Sequence, residues 1–481
     1  MPDSLEPLEK LDPHALPRVL GPFDAVTVVV GSIIGSGIFL KVDTVARELG
    51  AFGPIIALWI IVGVATLCGS LALAELAAML PQAGGPYVYL RQAYGRLTAF
   101  LWGWTEFSIV RTGSLGSLAC GTVIYLNGFL ESLEQGGRLP GFLADIVPLS
   151  HVAQAAVTIA AVIVLTSVNV IGTRWAAWTQ NITTVIKVAF LAVIIVGPIL
   201  FMKARVSNLQ PIAPTDWSFS FWRAFGVAMV AVYWPYDGWI NIGPIAEEIR
   251  EPKRNVPLGL GVGVSVVMVV YILTIIGYHL TLSMSEVAET KTIAADVFGI
   301  LFGPVGAGFA SLGVMVSTFG ALNSNLLAGP RIYFAMARDG LFPKTIRRVH
   351  PRFKTPANAI LAQSMWAIVQ IVIVFLITDE PKNAFDTLTD FVILGGTIFY
   401  SLTVAAVYVL RRTHPHLERP YKTWGYPITP LFYLLASLAV IASTTWQQIL
   451  AVSGLLLVGC VVYYLFKRYG RGPDAETAPL A

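Results

Sequence analysis

Apolar stretches of about 20 residues, the length that spans a hydrocarbon core of about 30 Å, recur along nearly the whole sequence and dictate what it can become. In lipid every backbone N–H and C=O must be satisfied internally, so such stretches fold as membrane-crossing helices. Twelve are read, near residues 22–48, 54–80, 97–128, 151–171, 175–202, 219–248, 256–282, 303–335, 356–378, 385–410, 428–446 and 449–466. They are numbered helices 1 to 12 below. Only 12% of the residues are charged, about half the share of a soluble domain, which leaves little chain for one. The first 20 residues are polar and proline-rich, so a short tail and no cleavable leader is expected there.

An even number of spans puts both termini on one side. Most Lys and Arg of the connecting segments fall on that side, concentrated between Arg331 and Lys354, whereas the other side has only Arg47, Arg138, Lys203, Arg205, Lys291 and Lys382. By the positive-inside rule both termini are cytoplasmic, in a cell membrane. The scatter of basic residues among short loops forms no stripe for nucleic acid. Cys68, Cys120 and Cys460 all lie within spans, which speaks against a disulfide framework or a metal cluster.

Two helices carry interruptions at matching depth. Helix 1 reads VVVGSIIGSGIFL, where Gly31, Gly35 and Gly37 with Ser32 and Ser36 weaken an otherwise good span. By itself this segment could equally be a small-residue packing face. Helix 6 reads VAVYWPYDGWINIGPIAEEI, with Pro235, Asp237, Gly238, Gly243 and Pro244 inside one span. Proline removes a helical hydrogen bond, and a carboxylate in lipid is costly unless it faces protein or water. Breaks are therefore expected near 35–37 and 235–238, five spans apart, the arrangement of inverted-repeat transporters with a midplane site.

Broken helices offer free N–H groups at one half's start and free C=O groups at the other's end. An amino acid needs both: its carboxylate is expected on the amides of Ser36, Gly37 and Ile38, and its ammonium on carbonyls near Ile33, Trp234 and Asp237. Gly35 and Gly37 leave room for close approach, and Trp234 and Tyr236 wall the ligand from solvent or simply pack the core. Gly238 belongs to the same turn.

The combination of GSIIGSGIF in helix 1, YDGW and EEIREPKRNVPLG in helix 6 and its exit, FGALNSNLLAGPRIYFAMARDGLFP in helix 8 and HPHLERPYK before helix 11 resembles the L-type amino-acid transporters. These are the light-subunit branch of the amino acid/polyamine/organocation superfamily, and the similarity runs from about residue 20 to residue 466. The resemblance implies an all-α integral membrane protein of the LeuT type. Its five-plus-five inverted repeat would place helices 1–5 in residues 21–205 and helices 6–10 in 206–412. Helices 11 and 12 would occupy 413–467, between tails at 1–20 and 468–481. It further implies alternating-access transport of small neutral L-amino acids, as sodium-independent exchange, with proton-coupled uptake or acceptance of cationic amino acids as alternatives. Animal members hold a heavy subunit through a cysteine in the external loop between helices 3 and 4; here that loop, ESLEQGGRLPGFLADIVP, has none, so no disulfide-linked partner is expected.

Lys187 lies near the middle of helix 5, too deep for its stem to reach either surface. It is similar to a family lysine thought to replace a coupling sodium by tying helix 1 to helix 8; a structural pair with a carboxylate is the alternative. Tyr271 in helix 7 matches a family tyrosine of the same network, with plain core packing as the alternative. Asn323 in helix 8 is a possible cavity-side group and Arg111 in helix 3 an interhelical partner. Asp237 either faces the cavity, admitting cationic side chains, or caps the broken helix. Glu247 and Glu248 stand beside Arg250, Lys253 and Arg254 in sequence, so either a cytoplasmic ion-pair cluster acting as an inner gate or plain loop solvation is expected there. No nucleophile with a base and no metal-ligand spacing lies at one depth of the spans, which argues against a membrane-embedded enzyme and against any cofactor or metal. No charged ring or pore-lining repeat suggests a channel.

Overall fold

The computed structural model describes residues 16–135, 147, 149–378 and 380–469. Most of the external loop between helices 3 and 4, and nearly all of both tails, lie outside the described residues. Among those described there is no strand; one isolated bridge joins Leu20 to Ile249. Helix 1 is Pro22–Ile33 followed by Gly37–Leu40, and helix 2 is Phe52–Met79. Helix 3 runs from Arg96 to Gln135 through a π-helical turn at Glu106–Val110. Helices 4 and 5 are His151–Ile171 and Thr173–Leu200, and helix 6 is Phe219–Tyr236. Helices 7 to 10 are Pro252–Thr281, Pro304–Arg338, Ala357–Ile377 and Pro381–Thr413, and helices 11 and 12 are Ile428–Ala442 and Trp446–Tyr469. Proline opens helices 1, 7, 8 and 10, where its missing N–H costs nothing.

Ten of these segments are long and apolar enough to cross a membrane, not the twelve expected. The other two are helix 6, which carries Arg223 and stops at its break, and helix 11, which has only 15 residues. Large apolar side chains such as Val164, Val185, Val262, Leu376 and Leu457 stand exposed on the outer faces of the bundle, while Glu106, Lys187, Asn323 and Arg331 are buried within it. An apolar outer face, with ionisable groups confined to an otherwise apolar interior, is what a lipid solvent selects.

Helix 3 packs on helices 8 and 10, helix 2 on helix 7, helix 4 on helix 9, helix 1 on helix 7, helix 6 on helix 2, and helix 5 on helix 8. Exchanging each helix with the one five places away maps this set of contacts onto itself. Most of helix 1 and the stretch of helix 6 from Ala228 to its break are buried among them, while the start of helix 6, with Phe219 and Trp222, is exposed.

Candidate functional site

Helix 1 loses its regular hydrogen bonding at residues 34–36 and resumes for one turn at Gly37–Leu40. The amides of Phe39 and Leu40 return to the Ser36 carbonyl, both at 3.0 Å. Those of Ser36, Gly37 and Ile38 have no backbone partner among the described residues, as expected for the start of a half-helix.

Helix 6 differs from expectation in two ways. It stays α-helical through Pro235 and breaks only at Asp237 and Gly238, the latter at φ +107°, where glycine avoids the steric cost of a side chain. It also does not resume as an α-helix, continuing as two 3-10 turns at Trp239–Ile242 and Ala246–Glu248. Gly243 and Pro244, in the turn between them, weaken any longer helix.

The two breaks pack on each other reciprocally. A Cβ on Gly37 would lie 2.6 Å from Cα of Pro235, and a Cβ on Gly238 would lie 2.6 Å from the Ser32 carbonyl oxygen. Gly35 faces Ala321 of helix 8 and Leu118 of helix 3, two residues that the sequence reading did not single out. Trp234 donates from Nε1 to Ser36 Oγ at 3.1 Å and meets the Phe385 ring edge-on at 6.0 Å. Ile33 and Ile38 are buried here, and Tyr236 turns away, its hydroxyl donating to the Trp59 carbonyl at 3.1 Å.

Carbonyls freed by the breaks are held by side chains from three other helices. Lys187, completely buried, donates from Nζ to Gly31 O at 2.9 Å and Ile34 O at 2.5 Å. No carboxylate pairs with it in the described structure. It also lies against helix 8, with Nζ 3.3 Å from where a Cβ on Gly320 would sit. Ser317 of helix 8 donates to Gly35 O at 3.0 Å. Tyr271 Oη stands 2.9 Å from Ile33 O and 3.0 Å from Pro235 O, so one hydroxyl spans both breaks.

Asn323 is not brought to the breaks. Its amide donates to Ala176 O at 2.9 Å and Gln180 Oε1 at 3.3 Å, and its carbonyl accepts from Asn169 at 2.8 Å, so it ties helix 8 to helices 4 and 5. The Asp237 carboxylate points away from helix 1. It lines a small cavity with Tyr233, Trp239, Thr397, Tyr400 and Tyr433, within electrostatic reach of Arg111.

Both faces beyond the breaks are closed by ion pairs. On the face bearing the N-terminal segment, Arg331 of helix 8 grips Glu248 at 2.7 Å, and both are fully buried with Thr173. Glu247 accepts from the amides of Leu16 at 3.0 Å and Ala83 at 2.9 Å and pairs with Arg338 at 3.4 Å. The expected partners are thus corrected. Glu251 adopts φ +46° and turns the chain, after which Lys253 pairs with Glu418 and Arg254 with Glu251. On the opposite face Lys41, just past the helix 1 break, pairs with Asp386 of helix 10 at 2.7 Å, and Lys382 donates to Leu40 O at 2.6 Å. Both ammonium groups sit over the Phe385 ring, at 5.1 and 5.5 Å from its centre.

A family model described as amino acid permease matches residues 20–466. The chain is 30% identical to the serine/threonine exchanger SteT of Bacillus subtilis (strain 168), over 95% of this chain and 98% of that one. It is 28% identical to b(0,+)-type amino acid transporter 1 of Homo sapiens, over 95% of this chain and 90% of that one. It is also 29% identical to the large neutral amino acids transporter small subunit 2 of Homo sapiens, over 94% and 81% respectively.

Proposed function

The chain belongs to the amino acid permease family, and on that footing we propose that it exchanges small neutral L-amino acids across the membrane by alternating access, without sodium. The observation that carries this reading is the pair of breaks in helices 1 and 6, which bring free amides at Ser36–Ile38 beside the carbonyl-rich end of helix 6 at Trp234–Asp237. A zwitterion's carboxylate suits the first and its ammonium the second. The contact set that maps onto itself under a five-helix shift supports a division into inverted repeats at 21–205 and 206–412.

Sodium independence is supported by Lys187, whose ammonium supplies a fixed positive charge against the carbonyls of the helix 1 break. Neutral substrates are supported by the surroundings of Asp237, which lines a small cavity with Thr397, Tyr400 and Tyr433 and no residue of helix 1. Termini on the cytoplasmic side of a cell membrane are supported by the basic loops. A chain working without a disulfide-linked subunit is supported by its cysteines, all inside helices, two of them buried. The test is uptake by purified protein in liposomes preloaded with unlabelled serine, alanine or leucine. Labelled substrate should enter only against internal amino acid, equally in sodium and choline buffers. Uptake into empty liposomes at the same rate would defeat the exchange reading.

A further inference from the structure

The π-helical turn of helix 3 places Glu106 beside Arg111, with Glu106 Oε2 accepting from Arg111 Nε at 2.8 Å. Arg111 Nη1 reaches Asn241 of the 3-10 turn that follows helix 6 and Asn325 of helix 8, each at 2.6 Å. Glu106 is completely buried and Arg111 3% exposed, yet Glu106 Oε1 and Arg111 Nη2 have no hydrogen-bond partner within the described structure. Asp237 lies four residues before Asn241 in the same turn segment and acts electrostatically on both; the residue is partly buried, with its Oδ1 enclosed. Its Oδ1 is also without a partner, and so is the Tyr233 hydroxyl, from a residue 8% exposed that lines the same cavity. That cavity has about 10 Å³ of room for a water, enough for one molecule.

Three charges meet here, two negative and one positive. The other titratable groups around them, Tyr233 and Tyr236 on helix 6, Tyr333 on helix 8, Tyr400 on helix 10 and Tyr433 on helix 11, bring no second cation. Lys187 serves the break in helix 1 instead. An unneutralised charge buried in a membrane bundle is costly, and two carboxylates competing for one cation titrate as a pair. We infer that Glu106 and Asp237 together hold one proton in this conformation, taken up from water onto one carboxylate to give a carboxylic acid. The proton-bearing pair then matches the single charge of Arg111 and supplies an O–H donor for an unpartnered oxygen. Asp237 lies in the turn that interrupts helix 6, and Asn241 of the same segment is bound to Arg111. Movement of that segment therefore alters the separation of the charges, and with it the hold on the proton. This site adjoins the proposed exchange site, which uses the backbone carbonyls at the end of helix 6, whereas the proton concerns the Asp237 carboxylate.

Infrared spectroscopy of the full-length protein in lipid at neutral pH, in H2O and D2O, tests the proton directly. The wild type should show a protonated-carboxyl stretch, shifted by deuteration, that disappears in Asp237→Asn and equally in Glu106→Gln, since either change leaves a balanced pair with Arg111. The helical amide band of the same spectrum reports folding, so one folded variant suffices. If neither folds, raising the pH on the wild type should abolish a deuterium-sensitive component in step with a spectral change of the tyrosines around Asp237. Identical carboxyl spectra in wild type and a folded variant, or a wild-type band untouched by pH, would overturn the inference. So would stabilisation against heat by sodium or potassium over choline that is lost in Asp237→Asn, because a metal cation would then balance the charge. None of these readings involves amino-acid transport, so its failure would be seen separately.

Discussion

Gly37 of helix 1 lies directly on Pro235 of helix 6, so close that a Cβ there would stand 2.6 Å from the proline Cα and 2.7 Å from its nitrogen. The two breaks are thus in contact with one another, and the same contact closes the space between them.

Gly37→Ala should therefore impair exchange even though alanine is small. The overlap is with backbone, which must shift at a cost of about 1–3 kcal/mol. Exchange in proteoliposomes should fall roughly tenfold or more, at about 1.4 kcal/mol per factor of ten, while the variant still elutes as folded protein. Undiminished exchange would mean that the closed contact is not visited during transport.

Lys187→Ala removes the donor to Gly31 O and Ile34 O. A hydrogen bond from a charged group is worth about 1.5–3 kcal/mol, so initial rates should drop roughly tenfold or more. Lys187→Arg should rescue poorly, because Gly320 and Thr183 of the adjoining surfaces leave little room for a planar head. Initial-rate uptake of serine in sodium and choline buffers checks this. Near-normal rates for the alanine variant would reduce Lys187 to a structural charge.

The Glu248–Arg331 pair is fully buried, so removing either partner strands the other. Arg331→Met should destabilise the protein by about 3–5 kcal/mol. The double variant with Glu248→Gln should recover much of that loss. Thermal unfolding of the purified single and double variants measures the coupling; strictly additive effects would show that the two side chains do not depend on each other.

Asp386→Asn frees Lys41 on the opposite face, where the aspartate is partly exposed. A cysteine placed at Ile38, wholly buried here, should then react several-fold faster with a membrane-impermeant maleimide than in the otherwise unchanged protein. Equal labelling rates would show that this pair does not hold the face shut.

Much of this architecture was written locally. Apolar run lengths marked the helices, and Gly35, Gly37, Asp237 and Gly238 marked the breaks to within a residue or two, because backbone preference is a property of neighbouring residues. The depth of Lys187 along helix 5 likewise followed from counting residues. Pro235 does not mark the break itself: within the last turn of helix 6 it leaves the helix running to Tyr236.

Partner identity could not be read the same way. Glu247 and Glu248 stand near Arg250, Lys253 and Arg254 in sequence but bind Arg338 and Arg331, far along the chain, because the turn at Glu251 sends the nearer cations elsewhere. Asn323 faces helices 4 and 5, Asp237 lines a cavity with Tyr400 and Tyr433, and only the π-helical turn sets Glu106 beside Arg111. The sequence by itself determined where the chain enters lipid and where its helices fail, since both depend on short-range composition and backbone geometry. Which buried charge meets which, and that Gly37 closes on Pro235, was decided only by tertiary packing, because a side chain's direction on a helix has no consequence until another helix is laid against it.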